Sequence, residues 1–294
     1  MHSLLQRLRT ISICAPIAIF LLRTPKGISS LLFCLHALCI EEGFQLLSKI
    51  VERHVPSITP NTLINHSING RDITVLSRTF ISFDILKTIS TVKCTFFIAL
   101  AYWITSYSFI QAARFLVTFT LLDMYISHGY KHLLLIAHAS FPQAVFFSLV
   151  VWNFDTASLL TGKTFKHLFP DSSAHFLFKP LRSFLDITSP NKTVPGVFGG
   201  IFFGAVLTSV ILSSFPYFAL PSDSSPYTTG LIMGVLSLFG DLFQSGLKRL
   251  AGVKDSGSFF PGHGGALDRM DSMLFTSIWF YHAIVKIQNT ALEN

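Results

Sequence analysis

The sequence predicts an all-α integral membrane protein with about eight transmembrane helices, within a range of roughly seven to ten. Half of its residues are hydrophobic, 13% are charged and the mean hydropathy is +0.55, whereas a typical soluble domain is about one quarter charged. Several apolar runs approach the roughly 20 residues that a helix needs to cross a bilayer. No ten-residue alternating pattern indicates a transmembrane β-barrel.

Eight apolar runs make up the predicted set of spans. Six have the required length or come close to it: residues 27–47, 94–111, 132–152, 197–220, 228–243 and 272–285. Two shorter runs are 11–22 and 112–126. Arg7 and Arg9 precede the first run as they would in a secretory signal, but no small-residue cleavage site follows, so a retained helix is the preferred interpretation.

The basic residues predict which loops face the cytoplasm. The net charge is +7, and lysine and arginine accumulate in short cytoplasmic loops of membrane proteins. Segment 161–196 holds five bases, segment 221–227 holds none, and segment 245–271 holds four. We therefore expect residues 197–243 to form a hairpin that enters and leaves the membrane at the cytoplasmic side. This topology explains the charge without a nucleic-acid partner.

One polar helix face lies at the end of an apolar run. Asp241, Ser245 and Lys248 follow i, i+4, i+7 spacing and share one side of a helix. A carboxylate at such a place is usually paired, in contact with water, or functional. An Asp–Lys pair that merely supports the helix end explains the spacing equally well.

A glycine-rich charged segment follows this helix. It contains Lys254-Asp255, then Pro261-Gly262-His263-Gly264-Gly265, and then Asp268-Arg269-Met270-Asp271. Glycine lets the backbone approach a ligand, consecutive N–H groups can bind an anion, and basic side chains bind phosphates. Asp268 and Asp271 are one helical turn apart, and carboxylates that share a site suit Mg²⁺. The combination predicts metal-assisted phosphoryl chemistry at a membrane surface, whereas a merely flexible charged loop would leave this order of residues unexplained.

The same segment resembles a known family. The 27 residues from Ser245 to Asp271, SGLKRLAGVKDSGSFFPGHGGALDRMD, match the diagnostic motif of the phosphatidate cytidylyltransferase (CDP-diacylglycerol synthase) family at essentially every fixed position. GDLFQS at 240–245 and SPNKTVPGVFGG at 189–200 are similar to further family blocks, and FDTASLLTGKTF at 154–165 is a weaker match. The resemblance covers about residues 145–285 and fits the bacterial-type members.

The resemblance implies a reaction and a set of site residues. The reaction converts CTP and phosphatidate to CDP-diacylglycerol and pyrophosphate with Mg²⁺ or another divalent cation. By resemblance, Asp241 and Asp268 bind the metal. The other residues implied in catalysis are Lys248, Arg249, Lys254, Asp255 and Asp271. The residues implied in substrate binding are Asp155, Ser189, Lys192, Thr193, Ser245, His263, Gly264, Gly265 and Arg269.

The expected organisation follows from these assignments. Residues 1–130 would supply N-terminal transmembrane helices, and residues 131–294 a catalytic transmembrane region with cytoplasmic loops 153–196 and 245–271. The expected partners are CTP, phosphatidate and membrane lipids, and the sequence leaves open a second, monovalent cation and a homodimer. Two other functions stay open: a CTP-dependent polyprenol or dolichol kinase, and a membrane transporter whose intramembrane acids line an ion path.

Overall fold

The computed structural model describes residues 23–54, 109–169, 179–214, 225–262 and 264–287, together with a few positions before residue 23. Its helices are α1 (Pro25–His54), α2 (Phe109–Ala139), α3 (Phe141–Leu168), α4 (Lys179–Thr188), α5 (Val194–Ser214), α6 (Pro226–Leu250) and α7 (Leu267–Phe280). A π-helical turn, Tyr281–Val285, continues α7.

The protein is an all-α polytopic membrane protein, as predicted. Within the described ranges, four helices are long and apolar enough to cross a bilayer: α1 over Lys26–Leu47, and α3, α5 and α6 over their whole lengths. The described ranges contain no strand, and Phe260 and Gly264 form an isolated β-bridge. Most of the predicted spans 94–111 and 11–22 lies outside the described residues, and residues 109–111 form the start of α2. The expected number of about eight spans therefore stays a prediction.

The predicted span 132–152 is wrong, because this apolar run is divided between two helices. α2 ends at Ala139 and α3 begins at Phe141, with Ser140 in an extended conformation (φ −162°, ψ 121°). Pro142 lies in the first turn of α3, where its missing N–H leaves no hydrogen bond unmade. Hydropathy is continuous across the break, but the chain cannot continue one helix through this proline.

The loops on both sides of the hairpin are shorter than predicted. α3 extends to Leu168, and α4 lies within the expected loop 153–196. α6 continues to Leu250 and α7 starts at Leu267. The loop between α6 and α7 therefore consists of residues 251–266. Ser245, Lys248 and Arg249 belong to a helix, whereas the glycines remain in the loop.

The chain forms two compact units. The first unit comprises residues 1–134 and 250–270, and the second comprises residues 135–249 and 271–294. Most of the glycine-rich loop therefore belongs to the same unit as α1. The functional division expected at residues 130 and 131 stays a prediction.

Glycines let the helices of the second unit pack closely. α3 and α5 contact each other where Ser158 lies against Gly196 and Gly200. A Cβ on Gly196 would lie 2.8 Å from the Ser158 carbonyl oxygen, and a Cβ on Gly200 would lie 2.6 Å from the Ser158 Cβ. Small residues allow such backbone contact in membrane helices. Thr193 caps α5, because its Oγ1 accepts a hydrogen bond from the Gly196 N–H at 3.2 Å. This cap fixes the end of the 189–193 segment.

In the first unit, α1 packs against α2. Gly43 contacts α2, since a Cβ on it would lie 2.9 Å from Ile126 Cδ1. Cys39 Sγ and Tyr130 Oη are hydrogen-bonded at 3.2 Å. These contacts bury one face of α1 and with it Glu42, which is 5% exposed.

Candidate active site

In the first unit, Asp268 organises the glycine-rich loop. Its Oδ2 accepts hydrogen bonds from the Ser256 N–H at 2.8 Å and from the Gly265 N–H at 2.9 Å. The Phe260 N–H donates to the Gly264 carbonyl at 2.9 Å and closes the tip of the loop. Asp268 lies in the first turn of α7, where a carboxylate also interacts favourably with the helix dipole. The carboxylate therefore holds together the two arms of the loop, one containing Ser256 and the other containing Gly265.

The glycines of the loop are required by its backbone. Gly252, Gly262 and Gly264 have φ values of 71°, 77° and 86°, a region that residues with a side chain adopt at a cost of about 1–2 kcal/mol. A Cβ on Gly264 would also lie 2.9 Å from Asp268 Oδ2 and 3.5 Å from Asp255 Oδ1. The structure thus brings Asp255 and Asp268 to the same glycine, as expected for residues of one site.

Sequence reasoning missed Glu42, which binds the same loop. Its Oε2 accepts hydrogen bonds from Ser256 Oγ at 2.8 Å and the Leu267 N–H at 2.9 Å, and its Oε1 accepts one from the Ala266 N–H at 2.8 Å. The first N–H groups of a helix have no partner within the helix, and Glu42 satisfies them at the start of α7. The signal that could have found it is an acidic residue inside the apolar run 27–47.

In the second unit, Asp241 is held by side chains. It forms a salt bridge with Lys192, in which the two side chains are 18% and 20% exposed, respectively. Ser245 Oγ donates a hydrogen bond to Asp241 Oδ1 at 3.3 Å. Asp241 and Ser245 therefore share a helix face as predicted. The salt bridge also brings together two sequence blocks that were assigned to one site.

Asp271 is a further acidic residue in this part of the second unit. Its side chain is buried, with a relative exposure of 8%, and its Oδ1 accepts a hydrogen bond from the Ser272 N–H at 2.8 Å. It interacts electrostatically with Asp241 and Asp155, which repel it, and with Lys248, which attracts it. Three other predicted site residues are thus within electrostatic reach of Asp271.

The remaining predicted residues have different surroundings. Arg249 Nε donates to the Thr188 carbonyl at 3.1 Å and so links α6 to the end of α4. Ser189 forms a turn, in which its carbonyl accepts from the Lys192 N–H at 3.0 Å. The side chains of three others are exposed: Lys254, Asp255 and Arg269. His263 lies outside the described residues.

Gln244 is a second residue that sequence reasoning missed. It lies on α6 one turn after Asp241 and is fully buried. Among the residues that the structure describes, neither polar atom of its side-chain amide has a hydrogen-bond partner. An unsatisfied buried amide is costly, so this position suits a polar ligand or water. Its place inside the GDLFQS block is the signal that could have identified it.

The donor groups fit a magnesium ion. Within the described ranges, no group of three or more His, Cys, Asp or Glu residues is arranged to hold a metal ion. Mg²⁺ typically takes one or two carboxylates and completes its shell with water and substrate phosphates. Asp241 and Asp268 supply hard oxygen ligands of this kind, and a carboxylate has about four lone-pair sites.

The fold and these residues define a class: a polytopic helical membrane protein with a glycine-rich loop that itself carries acidic and basic side chains. The sequence model of the family described as "Cytidylyltransferase family" matches residues 5–287. The chain belongs to this family.

The curated relatives carry one name. The chain is 41% identical over 138 residues to a Phosphatidate cytidylyltransferase of Synechocystis, a match that covers 45% of each chain. It is 34% identical over 187 residues to a protein of that name from Staphylococcus epidermidis, covering 61% of this chain and 62% of the relative. A Staphylococcus haemolyticus relative is 31% identical, with 64% and 67% covered. The chain thus spans between about half and two thirds of the curated relatives' lengths.

Proposed function

We propose that the protein transfers the cytidylyl group of CTP to phosphatidate. An oxygen of the phosphatidate phosphate forms a bond to the α-phosphorus of CTP, the bond from that phosphorus to the bridging oxygen breaks, and pyrophosphate leaves. The observation that carries the proposal is that relatives at 31–41% identity share the name Phosphatidate cytidylyltransferase. The ordered loop of residues 251–266 supports it, since it places exposed basic and acidic side chains beside a glycine-rich backbone.

The protein's own part in this reaction is to bind and orient two phosphorylated substrates. Transfer between phosphates depends mainly on positioning and on neutralising charge. Lys248, Arg249, Lys254 and Arg269 are the proposed phosphate-binding residues, with Lys192 and Ser189 from the preceding block. His263 is not needed as a general base, because a phosphate monoester is largely ionised at neutral pH.

The proposed cation is Mg²⁺, bound by Asp241 and Asp268. When bound, it would neutralise charge on the phosphate oxygens. The salt bridge between Lys192 and Asp241 supports a role for Asp241, because a lysine next to a carboxylate can interact with a phosphate when a cation binds that carboxylate. Asp255 and Asp271 are the next candidates for binding metal-coordinated water.

The proposed active site faces the cytoplasm. The basic segments 161–196 and 245–271 and the base-free segment 221–227 support this orientation by the positive-inside rule. Membrane lipids surround the apolar helices and supply phosphatidate from the same leaflet. A homodimer and a second, monovalent cation stay open.

The proposed function is tested with purified protein, CTP labelled in the cytidine, phosphatidate and Mg²⁺. We expect label to enter lipid and pyrophosphate to appear, both only when phosphatidate is present. In a parallel assay with a polyprenol in place of phosphatidate, release of labelled CDP with formation of a phosphorylated prenol would instead identify a polyprenol kinase. The absence of both reactions would favour a transporter.

A matched pair of variants links the activity to the site. Asp268→Asn should abolish lipid labelling while the protein still inserts into the membrane. Asp186→Asn is the control: this exposed carboxylate makes an i, i+4 salt bridge with the half-buried Arg182 at 2.7 Å on α4, and partly exposed pairs of this kind contribute little. Equal activity of the two variants would refute the role proposed for Asp268.

A further inference from the structure

Glu42 is a buried acidic residue that the proposed reaction does not yet use. It lies on α1 within the candidate span Lys26–Leu47, and its side chain is 5% exposed. Ionisable groups at such places are rare unless they are paired or functional. Its three hydrogen bonds all come from residues that flank or form the glycine-rich loop. Among the residues that the structure describes, the acid therefore binds the loop and not another charge.

Glu42 and Asp268 hold the same two arms of the loop. Ser256 donates its hydroxyl to Glu42 and its backbone N–H to Asp268. On the other arm, Gly265 donates to Asp268, and the next two N–H groups, of Ala266 and Leu267, donate to Glu42. If the Glu42 carboxylate is removed, these backbone donors lose their buried acceptor, and the position of Asp268 is no longer fixed.

Two glycines leave the space that Glu42 occupies. A Cβ on Gly257 would lie 2.7 Å from Glu42 Cδ, and a Cβ on Gly265 would lie 2.6 Å from the same atom. Atoms do not approach so closely without displacement. The sequence of the loop is therefore adapted to a carboxylate that enters from a helix more than 200 residues away in the chain, since Ser256 and Glu42 are separated by 214 residues.

We propose that Glu42 is a positioning residue of the active site, which holds the loop in the conformation that binds CTP and the divalent cation. The inference rests on the proposed cytidylyl transfer. A loop without this acceptor would populate the binding conformation only part of the time, and apparent affinity falls in proportion to that fraction. The expected signature is thus a raised KM for CTP and a raised Mg²⁺ requirement, with kcat recovered at saturation.

The test compares Glu42→Gln with Glu41→Gln in the full-length protein. Glu41 is the adjacent residue on α1 and accepts a hydrogen bond from Gln45 of the same helix at 3.0 Å, so its variant makes the same charge change at a neighbouring position of α1. We expect Glu42→Gln to raise the KM for CTP about tenfold or more, as expected for the loss of a charge-assisted hydrogen bond. Glu41→Gln should stay within about twofold of the wild-type KM.

Two results would overturn the proposal. One is an unchanged KM in Glu42→Gln. The other is a fall in kcat at unchanged KM, because a residue that only stabilises the fold lowers the amount of active protein without altering its affinity. Ser256→Ala provides a second route if Glu42→Gln does not fold: it removes one of the three hydrogen bonds and should raise KM in the same direction by a smaller factor. An unaltered KM in Ser256→Ala would also count against the proposal.

Hydrogen exchange separates this inference from the proposed function. Glu42→Gln should speed amide exchange at Ala266 and Leu267, and Glu41→Gln should leave it unchanged. If the wild-type protein shows no phosphatidate-dependent pyrophosphate release, the proposed function fails, whereas the exchange result still decides whether Glu42 holds the loop. Unchanged exchange in Glu42→Gln would overturn the inference even in an active enzyme.

Discussion

Asp268 and Asp241, the two acidic residues assigned to the metal, are held in different ways. In the first unit, Asp268 accepts two backbone N–H groups of a loop whose conformation it thereby defines. In the second unit, Asp241 contacts two side chains, the Lys192 ammonium and the Ser245 hydroxyl. A backbone donor cannot leave without refolding the loop, but a lysine can rotate to another anion. The first arrangement fixes the conformation of the loop. In the second arrangement, the lysine can leave the carboxylate and interact with a substrate phosphate.

The largest expected effect is that of removing the charge of Asp268. Asp268→Asn should lower kcat/KM at least about 100-fold, because a neutral amide is a poor metal ligand and lacks the charge that strengthens the two N–H hydrogen bonds accepted by Asp268 Oδ2. Lipid labelling by CTP measures the loss, and detergent gel filtration checks that the variant is folded. If Asp241→Asn lowers kcat/KM far more than Asp268→Asn does, the expected order of the two effects is reversed, and the reaction depends more on Asp241 than on Asp268.

A substitution that disturbs only the loop backbone comes next. Gly264→Ala should lower kcat/KM about tenfold, because a positive φ costs an alanine about 1–2 kcal/mol and the new Cβ would press on Asp268. The measurement is steady-state kinetics with CTP varied. Full activity in this variant would show that the loop conformation is not required.

The salt bridge of the second unit should give a smaller effect that depends on salt. Lys192→Gln should raise the KM for CTP several-fold, up to about tenfold, because Asp241 loses a partner and the substrate loses a phosphate-binding group. Added salt should raise the wild-type KM and have less effect on the variant, since partly exposed pairs are screened. Equal salt dependence in both proteins would show that Lys192 does not exchange between Asp241 and substrate.

The smallest effect is expected at a glycine that contacts nothing. Gly246 lies in α6, and a Cβ there would have no atom within 4 Å. Gly246→Ala should leave the kinetics unchanged and stabilise the helix by about 0.5–1 kcal/mol. A thermal melt of the detergent-solubilised protein measures this. Gly246→Ala serves as the control for Gly264→Ala. A loss of activity in Gly246→Ala would mean that α6 itself is sensitive to small changes.

The sequence predicted local features of the site well. The spacing of Asp241 and Ser245 placed them on one helix face, and the structure shows their hydrogen bond. The glycine-rich pattern predicted an ordered loop, and three of its glycines have positive φ. These predictions succeeded because each depends on residues within a few positions of one another.

The sequence did not reveal contacts between residues that lie far apart along the chain. It also did not reveal a helix break where the hydropathy and the proline pointed to different structures. Glu42 contacts residues more than 200 positions later, and no periodicity links an acid in one apolar run to a loop in another. The break at Ser140 was hidden by continuous hydropathy, although Pro142 marked it. The family resemblance assigned the blocks of Asp241 and Lys192 to one site, but it did not indicate the salt bridge between these two side chains.

The hydrogen bonds from the loop to Glu42 limit how the protein can be divided. A fragment that starts after α1 would contain every residue of the 245–271 motif. Its loop would nevertheless lack the Glu42 carboxylate, which accepts hydrogen bonds from Ser256, Ala266 and Leu267. Grafting the motif onto another scaffold would meet the same obstacle. Co-expression of residues 1–54 with the remainder of the chain is the arrangement in which a severed protein could recover its loop.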